Sequence, residues 1–214
     1  MIRILARPKT LVFTLLFLSA IPVGMAAVRL YQIPMGQLPL DAIKFDIVPW
    51  SHFAHALGGV LFGVLGPLQF AGVLKRRFAT FHRVTGRIFV AVGLLLALSS
   101  LRLLWQFPDA STWVLLLARL AAGAGLAAAL LIAVAAIRRR DVPTHKAWMI
   151  RAYAIGMGSA TISFIMFPIF IITGEPPVGM VSDLIFVASW AISIAIGEWV
   201  IRRPMSRAGI MRTA

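Results

Sequence analysis

The side chains best suited to chemistry in this chain are four histidines, two at each end of a set of apolar runs. His52 and His55 open a Gly-rich apolar run, while His82 and His145 each stand just before another. Imidazole changes charge near neutral pH and is the commonest metal ligand. If the runs after His82 and His145 are helices entering a membrane from the same side, the two rings stand at similar depth on separate helices. That placement can fill both axial positions of a b-type haem iron, which lie on opposite faces of the macrocycle. Arg83, Arg87, Lys146 and Arg151 are then at hand for the haem propionates as charge-assisted donors. The plainer alternative is a pair of interfacial histidines bonded to loop carbonyls or lipid phosphate, and quinone, proton or metal roles also stay open. His52 and His55, three apart on one helix, cannot both ligate one haem, although with Asp46 they could chelate a small metal ion. His55 alone remains available to a second cofactor at its own end. Gly59 lies one turn away on the same face, and its missing side chain leaves room for a flat group or for a neighbouring helix.

The elements that must position these residues are read from composition first. Of 214 residues, 60% are hydrophobic and 13% charged, with a mean hydropathy of +0.92. Soluble globular domains do not have this usage and multi-span membrane proteins do. The net charge of +14 does not mark a nucleic-acid-binding domain, because the Lys and Arg fall in short stretches between apolar runs. With no cysteine in the chain, disulfides, Cys-based zinc sites, thiol redox chemistry and c-type haem attachment are excluded.

Six apolar runs approach the ~20 residues that a helix needs to cross a hydrocarbon core: residues 1–30, 51–74, 88–105, 113–137, 149–173 and 181–201. The first also has the layout of a signal peptide, with Arg3, Arg7 and Lys9 ahead of it and small residues at Ala26 and Ala27, but its length favours an uncleaved helix. Residues 31–50, with three prolines, read as an outer loop carrying a short surface helix. Basic residues occupy alternate connections: the N-terminus, Lys75 to Arg87, Arg138 to Lys146, and Arg202 to Arg212. By the excess of Lys and Arg on cytoplasmic loops, the expected fold is all-α, a polytopic bundle of six transmembrane helices with both termini cytoplasmic. Trp50, Trp105, Trp113 and Trp148 fall at span ends, where indole rings favour the headgroup region. Gly59 and Gly63, like Ala154 and Gly158, have the small-residue spacing of close helix contacts, and Pro67 and Pro168 are expected to kink the second and fifth spans.

Charges inside spans raise a functional question because they are costly there. Arg102 can snorkel, and Glu198 has arginines of the inner face as partners. Arg119, about two turns into the fourth span, either pairs with Asp109, Asp183 or a carbonyl, or faces a polar cavity. No paired carboxylates lie near a histidine in the pattern that hydrolysis needs.

Three linked motifs carry a resemblance. His55-x-x-x-Gly59 leads to Gly66-Pro67-Leu68-Gln69-Phe70; His82-Arg83-x-x-Gly86-Arg87 follows; and His145-x-x-Trp148-Met149-Ile150-Arg151-x-Tyr153-Ala154 completes the set. Over residues 51–160 the chain resembles a bacterial family of multi-pass membrane proteins known only as predicted membrane proteins with a domain of unknown function. Its motif positions fall on Gln69, His82, Arg83, Arg87, His145, Trp148 and Arg151, and the family brings no activity with it. A weaker likeness is to haem-b carriers of the cytochrome b561 type, six-helix proteins with histidines near both faces. Those carriers place two widely spaced histidines on each ligating helix, which no helix does here, so electron transfer through two haems is not expected and a single inner haem stays open.

The reading is therefore one integral membrane domain, residues 1–214, with a motif-bearing core at 51–160, in a bacterial cytoplasmic membrane. Its candidate cofactor-binding residues are His82, Arg83, Arg87, His145, Arg151, His55 and Gln69, with His82 and His145 as candidate haem-iron ligands. The expected process is membrane electron transfer. The alternatives are a non-enzymatic subunit or scaffold, or a small-solute transporter in which Arg119 and the Gly/Pro-interrupted second span would take part. Expected partners are anionic headgroups at the basic face and a protein partner or second copy, without nucleic acid.

Overall fold

A computed structural model describes residues 8–37, 49–107 and 112–202, and in these the secondary structure is helical throughout. The helices are α1 (Pro8–Gln32), α2 (Pro49–Gln69), α3 (Gly72–Arg77), α4 (Ala79–Gln106), α5 (Trp113–Arg138), α6 (Val142–Gly156), α7 (Gly158–Thr173) and α8 (Gly179–Arg202). Six stretches are long and apolar enough to span a membrane, with α6 and α7 together forming the fifth and α3 lying outside the set. This is the expected six-span bundle. Arg3, Arg7, Asp41, Asp46, Asp109, Arg203, Arg207 and Arg212 lie outside the described residues, as does most of the loop read between the first two spans.

Neighbours in sequence pack as neighbours in space: α1 on α2, α2 on α4, α4 on α5, and α5 on α6. Helix α8 lies against α5, α6 and α7, and α7 returns to α1, which closes the ring. The centre is filled by Phe62 of α2, Phe89 of α4, Tyr153 of α6 and the small face of α5 formed by Ala129, Leu130 and Ala133. Phe62 and Phe89 stack with ring centroids 4.5 Å apart, and Phe62 stacks on Tyr153 at 5.8 Å. Gly66 admits the Tyr153 ring, with which a Cβ would collide. The glycines of α2 thus serve helix contact: Gly58 faces Leu96 of α4, and Gly63 faces Ser19 and Val23 of α1. Gly59 faces Ala26, which leaves no flat group between them. By contrast α1 has hardly a fully buried residue along its length, as a helix at the lipid boundary should.

Two boundaries differ from the sequence reading, each for a backbone reason. Helix α2 stops at Gln69, five residues early, where the backbone tightens, with the Phe70 N–H donating to Pro67 O and Ala71 N–H to Leu68 O, each at 3.2 Å. Pro67 stands two residues before that end. A proline cannot donate to the carbonyl four residues earlier, which here is Gly63 O. The Ser19 hydroxyl of α1 lies 3.2 Å from that oxygen and 3.0 Å from Leu16 O, so its proton is shared between them. An adjacent hydroxyl meeting a carbonyl freed by proline is what a bilayer interior requires.

The fifth span starts seven residues earlier than its apolar run and is broken in the middle. Asp141 caps it, accepting from the Thr144 N–H at 3.1 Å. Bonds from the Thr144 side chain and backbone hold the exposed Asp141 carboxyl below the usual carboxylate range. The break falls at Met157, between Gly156 and Gly158. Trp190 of α8 donates its indole N–H to Ile155 O at 3.1 Å, and Gly158 makes room for that ring. Helix α4 likewise starts at Ala79, so His82 and His145 both sit inside the first turn of their helices.

Candidate functional site

The break in the fifth span borders a cavity. Ile155 and Gly156 form part of its wall, and the remainder comes from α2, α4, α5 and α8. The chamber is about 450 Å³, within the usual 300–1,000 Å³ of small-molecule sites. It lies at the end of the bundle that carries Trp50, Trp105 and Trp113, all strongly exposed, and away from Lys75, Arg87 and Arg138 to Arg140.

Its polar groups are few. His52 and His55 come from the first turns of α2, Ser100 from α4, and Arg119 from the second turn of α5. His55 Nδ1 is 3.4 Å from the Ser99 hydroxyl, which donates to Leu96 O at 3.1 Å. The one Ser99 hydroxyl thus lies within reach of both the imidazole and the Leu96 carbonyl, and its direction toward His55 follows the ring's tautomer. The Arg119 guanidinium lies 5.4 Å from the Phe186 ring centre and within the electrostatic reach of Asp183. Asp183 is buried and accepts from the Thr112 N–H at 2.9 Å. Arg119 thus lines the chamber, and the charge of Asp183 acts on it there. The other walls are aromatic or aliphatic, with Phe107 packed against His52 at 6.0 Å between ring centres and Phe186 beside Trp190 at 6.3 Å.

At the basic end the motif residues are brought together only in part. His145 Nδ1 is 2.9 Å from Ala133 O. A carbonyl can only accept, so Nδ1 carries the proton and Nε2 is left as the ring's acceptor. His82 Nδ1 is buried without a hydrogen-bond partner, and His145 is near enough to act on that ring electrostatically. A backbone carbonyl on the far nitrogen is the usual support of a ligating histidine. The space deeper in the bundle is occupied: two turns on from each ring are Phe89 and Tyr153, and Phe70 meets Tyr153 at 5.2 Å.

The remaining candidates have other work. Gln69 Nε2 donates to Thr85 Oγ1 at 2.9 Å, fastening the end of α2 to the start of α4, and its Oε1 approaches Gly86 so closely that a Cβ there would lie 3.0 Å away. Arg151 is paired with Glu198 of α8, Nε to Oε1 at 2.6 Å and Nη2 to Oε2 at 3.2 Å, and lies 4.7 Å from the Trp148 ring centre. Arg83 and Arg87 are exposed, with Arg83 reaching only Thr80 at 3.5 Å. Arg102 reaches Ser51 at 3.1 Å, close to its helix end. Among the described residues no three His, Asp or Glu side chains converge as a metal site, and the Asp46 of the three-residue chelate lies outside them.

Sequence reasoning missed Ser99, Phe186, Trp190 and the break at Met157. A signal was present for two of them: Gly156-Met157-Gly158 interrupts an apolar span, and Trp190 sits mid-span instead of at a membrane boundary.

The sequence model of a family described as "Predicted membrane protein (DUF2306)" matches residues 52–201. The match runs beyond the three motifs and through the last helix. No curated protein and no solved structure matches the chain.

Proposed function

The chain belongs to that DUF2306 family of predicted membrane proteins, and from this premise we propose that it is an intramembrane binding protein whose chamber, lined by His52, His55 and Arg119, holds a small membrane-soluble molecule. The observation that carries the reading is the unfilled chamber itself, about 450 Å³ among the membrane-spanning helices with His52, His55, Ser100 and Arg119 in an otherwise apolar wall, as small-molecule sites are built. Toward the basic end the Phe62, Phe89 and Tyr153 cluster closes the bundle, so the site opens to one side and solute passage through the bundle is the less favoured alternative.

The orientation proposed puts the basic connections in the cytoplasm of a bacterium, with exposed Arg76, Arg77, Arg83, Arg87 and Arg138 to Arg140 on anionic headgroups at roughly 1 kcal/mol each. Native mass spectrometry of the full chain tests the binding function. A bound small molecule is expected on the natural protein and absent from Ala122→Trp, which fills the chamber. Identical bare spectra from membranes of the native host would overturn the proposal.

A second reading has its own observation. His145, oriented by Ala133 O, and the partnerless His82 Nδ1 are the residues that would hold a haem iron at the basic end. A haem so held would supply one-electron chemistry, with Arg83 and Arg87 near its propionates and Arg151 kept by Glu198. A Soret band lost in His145→Ala and retained in His52→Ala supports it; its absence after expression with ample haem rejects it.

A further inference from the structure

We propose that a groove between α5, α6 and α8 at the basic end binds one anionic phospholipid, with its phosphate against Arg151 and an acyl chain along α5. The groove is separate from the chamber and shares Ile155 with its wall. Gly125, Ala128 and Ile132, spaced as one face of α5, form one side, and Ile194 of α8 stands in the other. Ala128, Ile132 and Ile194 are exposed, so in a bilayer the groove opens on lipid. Its volume is about 220 Å³, drawn out over the two turns from Gly125 to Ile132, about 10 Å of helix axis. One hydrocarbon chain fits that space. A helix, about 10 Å across, does not.

The polar groups of the groove gather nearest the basic connections. Arg151 gives Nε and Nη2 to Glu198, and its guanidinium carbon lies 4.7 Å from the Trp148 ring centre. The guanidinium is a rigid fork, so with that edge on the carboxylate the N–H bonds of Nη1 point away from it. Among the described residues nothing accepts from Nη1. Arg202 Nε is 3.8 Å from the second Glu198 oxygen, and exposed Arg139 lies two turns beyond Ile132 on the same face of α5. Three guanidinium groups thus surround one carboxylate, and the mouth is net positive. Glu198 fixes the Arg151 plane and leaves an anion favoured there. Charge at the membrane boundary and an apolar trough running inward from it follow the order of a phospholipid's own parts. A zwitterionic lipid would add an ammonium where arginines already crowd, so a phosphate with an uncharged headgroup suits the mouth better.

Native mass spectrometry of the full chain tests the site in detergent with equal amounts of dioleoyl phosphatidylglycerol and dioleoyl phosphatidylethanolamine. One phosphatidylglycerol is expected to stay bound, about fivefold in preference to the zwitterionic lipid, the worth of one basic charge at a membrane surface. Ala128→Trp, at an exposed position, fills the groove and should remove the retained lipid. Arg151→Gln together with Glu198→Gln keeps the net charge and should abolish the preference, so either variant carries the test if the other fails to fold. Arg76→Gln together with Arg77→Gln, elsewhere on the basic face, should change neither result. Ala122→Trp should keep the lipid, because it fills the chamber instead. Equal retention of the two lipids, a preference lost as fully with Arg76 and Arg77 as with Arg151, or retention unchanged by Ala128→Trp would overturn the site and leave the chamber standing. A dimer lost in Ala128→Trp, with no lipid on the natural chain, would give the groove to a second copy and overturn the lipid.

Discussion

The two ends of this bundle are made from the same apolar helices yet close in different ways. At the basic end, α2 stops early at Gln69, whose side chain fastens it to Thr85, and Arg151 bridges α6 to Glu198 of α8, with the aromatic rings of Phe62, Phe89 and Tyr153 packed above. At the opposite end a tryptophan and two glycines hold open a helix break, and the space beside it stays unfilled. Most side chains at the first end are engaged with one another, with His82 Nδ1 and the Tyr153 hydroxyl buried without a hydrogen-bond partner and a smaller cavity beside Arg151 and Glu198. Several at the second face a cavity, and a site can exist only where packing has been left incomplete.

The comparison predicts unequal costs. Phe89, 1% exposed among Phe62, Tyr153 and Leu130, should lose about 3–5 kcal/mol on Phe89→Ala, as buried aromatics do. Ser100→Ala in the chamber wall should cost under about 0.5 kcal/mol, because its hydroxyl bonds only its own helix at Ala97 O. Unfolding of the detergent-solubilised chain measures both. Similar losses at the two positions would break the distinction between a packed end and an open one.

Trp190 sharpens it next. Trp190→Ala removes a wall and a donor together and should cost about 3 kcal/mol or more. Trp190→Phe keeps most of the ring and removes the indole donor from Ile155 O, which the Met157 N–H also approaches, for about 0.5–1.5 kcal/mol. Should Trp190→Phe prove neutral, the break does not depend on α8 for its hydrogen bonding. At the basic end, Glu198→Gln weakens a two-bond pair whose side chains are about 30% exposed. About 1–2 kcal/mol is expected, between the values for surface and buried pairs, and Arg151→Gln in the same background should add little. Additive losses in thermal unfolding would show that the two residues act separately.

The architecture was legible because it follows from run length and charge placement, which are one-dimensional. Even Arg119 announced itself, as a charge where apolar residues are required. The chamber was not legible, because it is a deficit of volume among five helices, and no residue type encodes a void. His55 was read as a candidate for a cofactor at its own end with no second residue named beside it, and the structure places Ser99 and the wall that contains Arg119 around it. Arg151 was read as a cofactor donor because Glu198, 47 residues away, is adjacent only in the folded bundle. Helix ends were misplaced wherever a cap or a tightened backbone, and not hydropathy, decides them, as at Asp141 and Gln69.

The smallest effect tests the join between α1 and the rest. If Ser19 matters because Pro67 cannot donate to Gly63 O, its contribution must depend on the proline. Ser19→Ala should cost about 0.6–1 kcal/mol, the usual worth of a hydrogen bond between membrane helices. In a Pro67→Ala chain the new N–H can reach Gly63 O, and the same Ser19→Ala change should then cost almost nothing. A double-mutant cycle isolates that coupling from whatever the proline does to the end of α2. If Ser19→Ala costs the same in both chains, the hydroxyl only packs against Gly63, and the early stop of α2 owes nothing to its neighbour.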